Sequence, residues 1–195
     1  MRTLQQTAAH PLERLIRENP SFHAWPDGSP ANCSVAPDTL MFIHDQLLPG
    51  MNTLETGAGQ TTVAFAIAGT HHICITPQRE QADRIRDYCD ELHVQGDLTF
   101  VFESSDTALP RISLLPDSLD FIFIDGAHRF PFPCLDWHYT QGRLRVGGIL
   151  GIDDCRLPSV RVLHDFLCGD EKWQLMQMVD LTSFFRKVRG NTDEP

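Results

Sequence analysis

Short apolar runs alternate with amphipathic stretches along most of the chain. Residues 9–19 place Leu12, Leu15 and Ile16 on one helical face, with Pro11 in the first turn and Pro20 as the stop. A second helix is predicted over 37–48, opened by Pro37 and Asp38 and closed by Pro49-Gly50. The run from Asn52 to Glu55 then reads as a strand, and Thr61 to Ala68 as the helix after it. Further strands are predicted at 71–76, 98–103, 119–124 and 149–152. Between them lie helical patterns at 78–93, in a short segment ending at Leu115, and at 135–144. Ala82, Ile85, Tyr88, Cys89 and Leu92 form the apolar face of the longest of these. A helix over 160–167 follows, with Val160, Leu163 and Leu167 inward, and then two nearly abutting strands, 173–181 and 183–188.

The five strands before that last pair are apolar throughout, as strands buried on both faces are. Alternation with helices therefore predicts an α/β fold: a doubly wound, mostly parallel, seven-stranded sheet ending in an antiparallel hairpin. Residues 20–37 hold four prolines and one glycine and read as a cover segment, with Phe22 and Trp25 as apolar anchors. The expected organisation is a helix and cover segment over 1–36, one domain over 37–190, and a polar tail over 191–195.

Composition narrows the classes. A formal net charge of -10 disfavours a nucleic-acid groove or an anionic membrane surface, which need clustered Lys and Arg. No apolar run reaches the roughly 18 residues of a membrane span, and Met1 to Gln6 carries no apolar signal core. The six cysteines show no CxxC spacing, so reduced thiols and a cytoplasmic location are expected. A homodimer is left open, with no feature of the sequence carrying it.

The chemistry gathers where the predicted strands end, the place where open α/β sheets bind ligands. Gly57-Ala58-Gly59 joins strand to helix, allowing a sharp turn and close ligand approach beside unpaired helix N–H groups. Glu55, Thr76, Ser104-Ser105, Asp125 with His128, and Asp153-Asp154 stand at successive strand ends. Each taken alone also reads as a helix cap or loop hydrogen bond. Together, Asp125, Asp153 and Asp154 form an all-oxygen set suited to a hard cation such as Mg²⁺. Cys155, beside Asp154, reads as structural, because neighbouring carboxylates suppress its thiolate.

Glu55-Thr-Gly-Ala-Gly59 with Thr61-Thr62 resembles the glycine motif of class I S-adenosylmethionine-dependent methyltransferases. Leu119 to His128, followed by Gly147-Gly-Ile-Leu-Gly-Ile-Asp-Asp154, resembles the methyltransferase 24 family and is similar to metal-dependent O-methyltransferases. The resemblance runs from about Ser34 to Val188 and implies a Rossmann-like methyltransferase fold and a small-molecule acceptor. It implies cofactor binding by Glu55, Thr56, Gly57, Ala58, Gly59, Thr62, Thr76, Ser104, Ser105 and Asp125. It further implies a divalent cation on Asp125, Asp153 and Asp154, with His128 and Asp125 in catalysis and His128 as the general base.

Two departures stand out. The acid that usually ends the second strand of the sheet and clamps the ribose is Thr76, and the acid before the next serine is Ser104. They keep open an alternative, a methyltransferase-like binding protein without turnover. A nicotinamide-dependent oxidoreductase is a more distant reading, opposed by the missing acid and by Thr62 where a third glycine belongs. The apolar loop Arg129 to Cys134 is expected to line the acceptor pocket or to pack against it. Cover for the site must come from residues 20–37 or from a second subunit.

Overall fold

The structure, a computed structural model, describes residues 10–25, 27–31 and 33–190. The expected polar tail beyond residue 190, and Ala9 of the first predicted helix, lie outside them. The seven-stranded sheet is built from β3 (Asn52–Thr56), β4 (His71–Ile75), β5 (Asp97–Val101), β6 (Leu119–Ile124), β7 (Leu144–Ile152), β8 (Trp173–Val179) and β9 (Thr182–Lys187). Its order is β5-β4-β3-β6-β7-β9-β8. The first five of these pair in parallel, whereas β9 runs antiparallel to both β7 and β8. The predicted fold class is the one observed.

The chain steps from β3 outward to β5, returns to β6 on the other side of β3, and continues outward to β7. That reversal opens a crevice beyond the ends of β3 and β6, where an open α/β sheet takes its ligand. Leu54, Ile122, Ile124, Leu150 and Ile152 are all at or near zero exposure, the burial expected of strands covered on both faces. Helices α3 (Gln60–Ile67), α4 (Arg79–Glu91), α6 (Phe132–Thr140) and α7 (Pro158–Gly169) flank the sheet.

Helix α1 (Pro11–Glu18) begins with His10 Nδ1 accepting the Leu12 N–H (3.2 Å) and ends at Asn19 in the left-handed region (φ 44°). Leu12 and Leu15 are its buried positions. Helix α2 (Pro37–Gln46) carries Leu40 and Ile43 into the core.

Three expectations shift. The predicted helix after Ser105 shrinks to one turn, α5 (Ser105–Ala108). Gly147 and Gly148 lie inside β7 rather than before it, beside the register shift between Leu119 and Phe121 that absorbs them. The cover segment forms a small antiparallel ladder of β1 (His23–Ala24) and β2 (Pro30–Ala31). Phe22 anchors it at 3% exposure, but Trp25 is 58% exposed and anchors nothing. Among the described residues no helix is long and apolar enough to cross a membrane.

Candidate functional site

The glycine turn is closed by backbone alone. Gly57 N–H donates to the Ile75 carbonyl (3.0 Å), and Asp125 N–H donates to that of Thr56 (2.9 Å). Gly57 has φ 93°, and a Cβ there would sit 2.1 Å from the Asp125 carbonyl oxygen. No residue with a side chain fits both that angle and that distance.

A cavity of about 280 Å³ opens at the turn. Gly57, Ala58, Thr76, Ser104, Ser105 and Asp125 line it, six of the expected cofactor residues. The other four do not. Glu55 is 1% exposed and accepts hydrogen bonds from the Thr61 hydroxyl (2.8 Å) and from Thr62, with His72 Nε2 at 3.2 Å. Thr62 also receives the Gly59 N–H (3.0 Å), so its hydroxyl is committed to starting α3. Thr56 is fully buried, and Gly59 borders a small neighbouring pocket under the cover segment. These side chains lock the strand–helix corner; their oxygens are already partnered or enclosed.

Thr76 is committed as well. Its hydroxyl donates to Gln81 Oε1 (3.1 Å) and accepts the Gln78 N–H (3.3 Å). Gln81 Nε2 in turn donates to the Ala58 carbonyl (2.7 Å) and stands 3.1 Å from the ring nitrogens of His23. A glutamine in the first turn of α4 thus ties the end of β4 to the glycine turn and to the cover segment.

A second cavity, of about 440 Å³, adjoins the first and is lined by Asp125, His128, Asp153, Asp154, Arg156 and Asp180, among others. Asp125, Gly126 and His23 line both. His128 stands between two acids, with Nε2 3.4 Å from Asp125 and Nδ1 3.6 Å from Asp154. Its backbone carbonyl accepts the Ser159 hydroxyl, which ties the loop to α7. Loss of water pushes the Asp125 carboxyl up to about 7, partly offset by His128. His128 is held above the ordinary imidazole value, first by its interaction with Asp125 and then by Asp154 and Asp153, against burial. Burial likewise raises Asp153, opposed by the Thr182 hydroxyl that donates to it. Imidazole and carboxyl stand close enough for a proton to pass between them.

The expected cation ligands are not brought together as a ligand set. Among the described residues no group of three or more His, Cys, Asp or Glu side chains is arranged to hold a metal ion. The physical reason is local: His128 lies between Asp125 and Asp154, Asp153 is turned to Thr182, and Asp154 sits in a left-handed turn (φ 56°). As arranged, this donor set does not fit a divalent cation.

Sequence reasoning missed His23, Gln81 and Gly126. His23 comes from the cover segment, 102 residues before Asp125, and no local pattern marks it. Burial, then the charge of Arg84, holds it below the ordinary imidazole value. Arg84 also donates twice to the Phe22 carbonyl (3.0 and 2.7 Å), so α4 holds the cover in place. The loop expected at the acceptor pocket instead contributes Phe132 to the first cavity, under the guanidinium of Arg129 (4.7 Å), while Phe130 is exposed. Cys155 is structural: it is 1% exposed, donates to the Ile152 carbonyl (3.3 Å) and meets Ser183 Oγ at 3.0 Å. Burial, more than the neighbouring acids, raises its thiol.

Comparison with known proteins agrees with this geometry. The methyltransferase 24 model, described as a methyltransferase domain, matches residues 54–155, from inside β3 to just past β7. A solved protein from Corynebacterium glutamicum superposes with a TM-score of 0.72 at 14% identity, covering 96% of this chain and 94% of that one. The O-methyltransferase TomG from Streptomyces achromogenes, involved in tomaymycin synthesis and solved with S-adenosylmethionine, superposes at 0.70 with 16% identity over 95% and 93% of the chains. Cofactor-bound Rv0187 from MTB gives 0.68 at 17% identity over 83% and 84%. At such identities these structures speak for the fold. None of the curated proteins searched matches the sequence. With its glycine turn, its Asp-Gly-x-His strand end and a family model spanning just over half of its length, the chain belongs to the methyltransferase 24 family.

Proposed function

We propose that the protein moves the methyl group of S-adenosylmethionine to a hydroxyl oxygen of a small acceptor, with His128 and Asp125 handling the acceptor's proton. One observation carries this reading: a cavity at the glycine turn meets a histidine–carboxylate cavity across Asp125, Gly126 and His23. The first is the expected cofactor place and the second has room for a small molecule. O-methyl transfer by TomG, which shares the fold, supports the choice of oxygen.

When bound, the cofactor supplies a sulfonium methyl open to in-line displacement. The chain's residues align and deprotonate. Gly57 and Gly126 let backbone approach the reacting centre, and His23 with the cover segment keeps water out. His128 accepts the hydroxyl proton while Asp125 and Asp154 stabilise the resulting imidazolium. The new O–CH₃ bond forms as the S–CH₃ bond breaks, leaving a neutral thioether. Alignment and proton removal are the two contributions asked of the protein. No step runs through a cation, because the acids do not converge on one.

The test is release of S-adenosylhomocysteine from S-adenosylmethionine with a panel of phenols, catechols and aliphatic alcohols, before and after EDTA. His128→Asn should retain cofactor binding and lose about 10²- to 10⁴-fold in turnover. Undiminished turnover in that variant would overturn its role as base. Loss of turnover on chelation, restored by Mg²⁺, would reinstate the cation.

A further inference from the structure

Asp136, on α6, is 1% exposed, and its carboxylate has only the hydroxyls of Ser105 and Thr56 as polar neighbours, neither in full hydrogen-bond geometry. Thr56 Oγ1, at the end of β3, is also buried. Both groups stand behind Gly126. A Cβ at that position would lie 3.2 Å from Thr56 Oγ1 and 3.4 Å from Asp136 Oδ2. Gly126 lines both cavities of the site, so one backbone unit without a side chain separates this carboxylate from them. Ser105, which lines the cofactor cavity, completes the surroundings. Its hydroxyl and that of Thr56 favour the ionised carboxylate, but burial prevails and holds the group at about 6.

A buried carboxylate without a counter-charge is costly unless something compensates it. Among the described residues Asp136 forms no ion pair, and the one charged side chain that acts on it, Asp106, carries the same sign. Apolar replacements would serve α6 better if packing were the whole role. The missing counter-charge matches the ligand assigned to the adjoining cavity. A sulfonium donor is cationic, and the thioether left after transfer is neutral at sulfur. A fixed negative charge in a poorly solvated wall discriminates between the two.

We propose that Asp136 is a positioning residue for the cofactor, which from behind Gly126 favours the cationic methyl donor over its neutral product. This rests on the reading of the first cavity as the S-adenosylmethionine site. It gives the protein a means of holding the donor and letting the product go, and it is exerted through the cavity wall rather than by contact.

Isothermal titration with S-adenosylmethionine and with S-adenosylhomocysteine, on the full-length protein, tests it. Asp136→Asn keeps the shape and removes the charge. It should weaken donor binding about tenfold, leave product binding unchanged, and raise KM for the donor with kcat retained. Asp136→Ser, a second variant that admits water, should show the same loss of preference. Ser104→Ala, which trims the cavity wall and leaves the surroundings of Asp136 intact, should weaken both ligands alike. Equal weakening of both ligands by the Asp136 variants, or the same loss of preference in Ser104→Ala, would overturn the inference alone. Binding of neither ligand by the wild type would overturn the cofactor reading, and the inference with it.

Discussion

Glu55 and Asp125 close neighbouring parallel strands, yet they meet opposite fates. Glu55 lies within the ladder, opposite Cys74 on one side and Phe123 on the other. At that level α3 roofs the sheet, so Thr61, Thr62 and His72 enclose the carboxylate. Asp125 lies one residue beyond the end of β6, where the chain leaves the sheet, and its side chain faces both cavities. Two acids that look equivalent as strand ends differ by two residues along the ladder. One becomes architecture and the other becomes chemistry.

The sharpest way to break that contrast is at the residue holding the two strand ends together. Gly57→Ala combines a left-handed backbone with a Cβ 2.1 Å from the Asp125 carbonyl oxygen. It should abolish cofactor binding and destabilise the fold by more than about 3 kcal/mol, read by calorimetry and thermal melts. A variant that binds normally would show that the turn can open without consequence.

Next comes the pair itself. Glu55→Gln should cost about 2–3 kcal/mol in stability by loosening a buried network, with turnover per folded molecule preserved. Asp125→Asn should do the reverse, with turnover falling on the order of 10²-fold. Its stability difference should depend on pH. The folded Asp125 carboxyl, at about 7, lies above its ordinary value, so folding favours the protonated form. That contribution is complete below about pH 4 and is lost as pH rises through about 7. Melting temperatures should therefore shift in favour of Asp125→Asn across this range; a difference flat in pH would contradict the assignment.

The smallest expected effect is at Trp25, in the cover. Phe22→Ala should cost about 3 kcal/mol, whereas Trp25→Ala should stay within about 0.5 kcal/mol. Comparable losses in urea denaturation would mean that Trp25 anchors the segment after all.

Much of the fold was legible in the chain because apolar periodicity records which faces are buried. Runs such as 119–124 have no other stable use than a covered strand. The glycine motif was legible for the same kind of reason, since only glycine tolerates φ 93° against a neighbouring backbone. Helix ends and the bulged start of β7 were less legible, because tertiary pairing sets them.

At the site, the sequence by itself determined that acids, a histidine and a glycine turn would gather at the strand ends. Only the tertiary structure decided what each one does. It turned Glu55, Thr62 and Thr76 inward onto partners, set His128 between Asp125 and Asp154, and brought His23 across from a segment far away in the chain. The reason is physical. Residue type and spacing specify which groups reach a given end of a sheet. Which oxygen faces ligand and which faces a neighbouring hydroxyl depends on shifts of a single residue in register and on what packs above, and such distances are settled only when the layers meet.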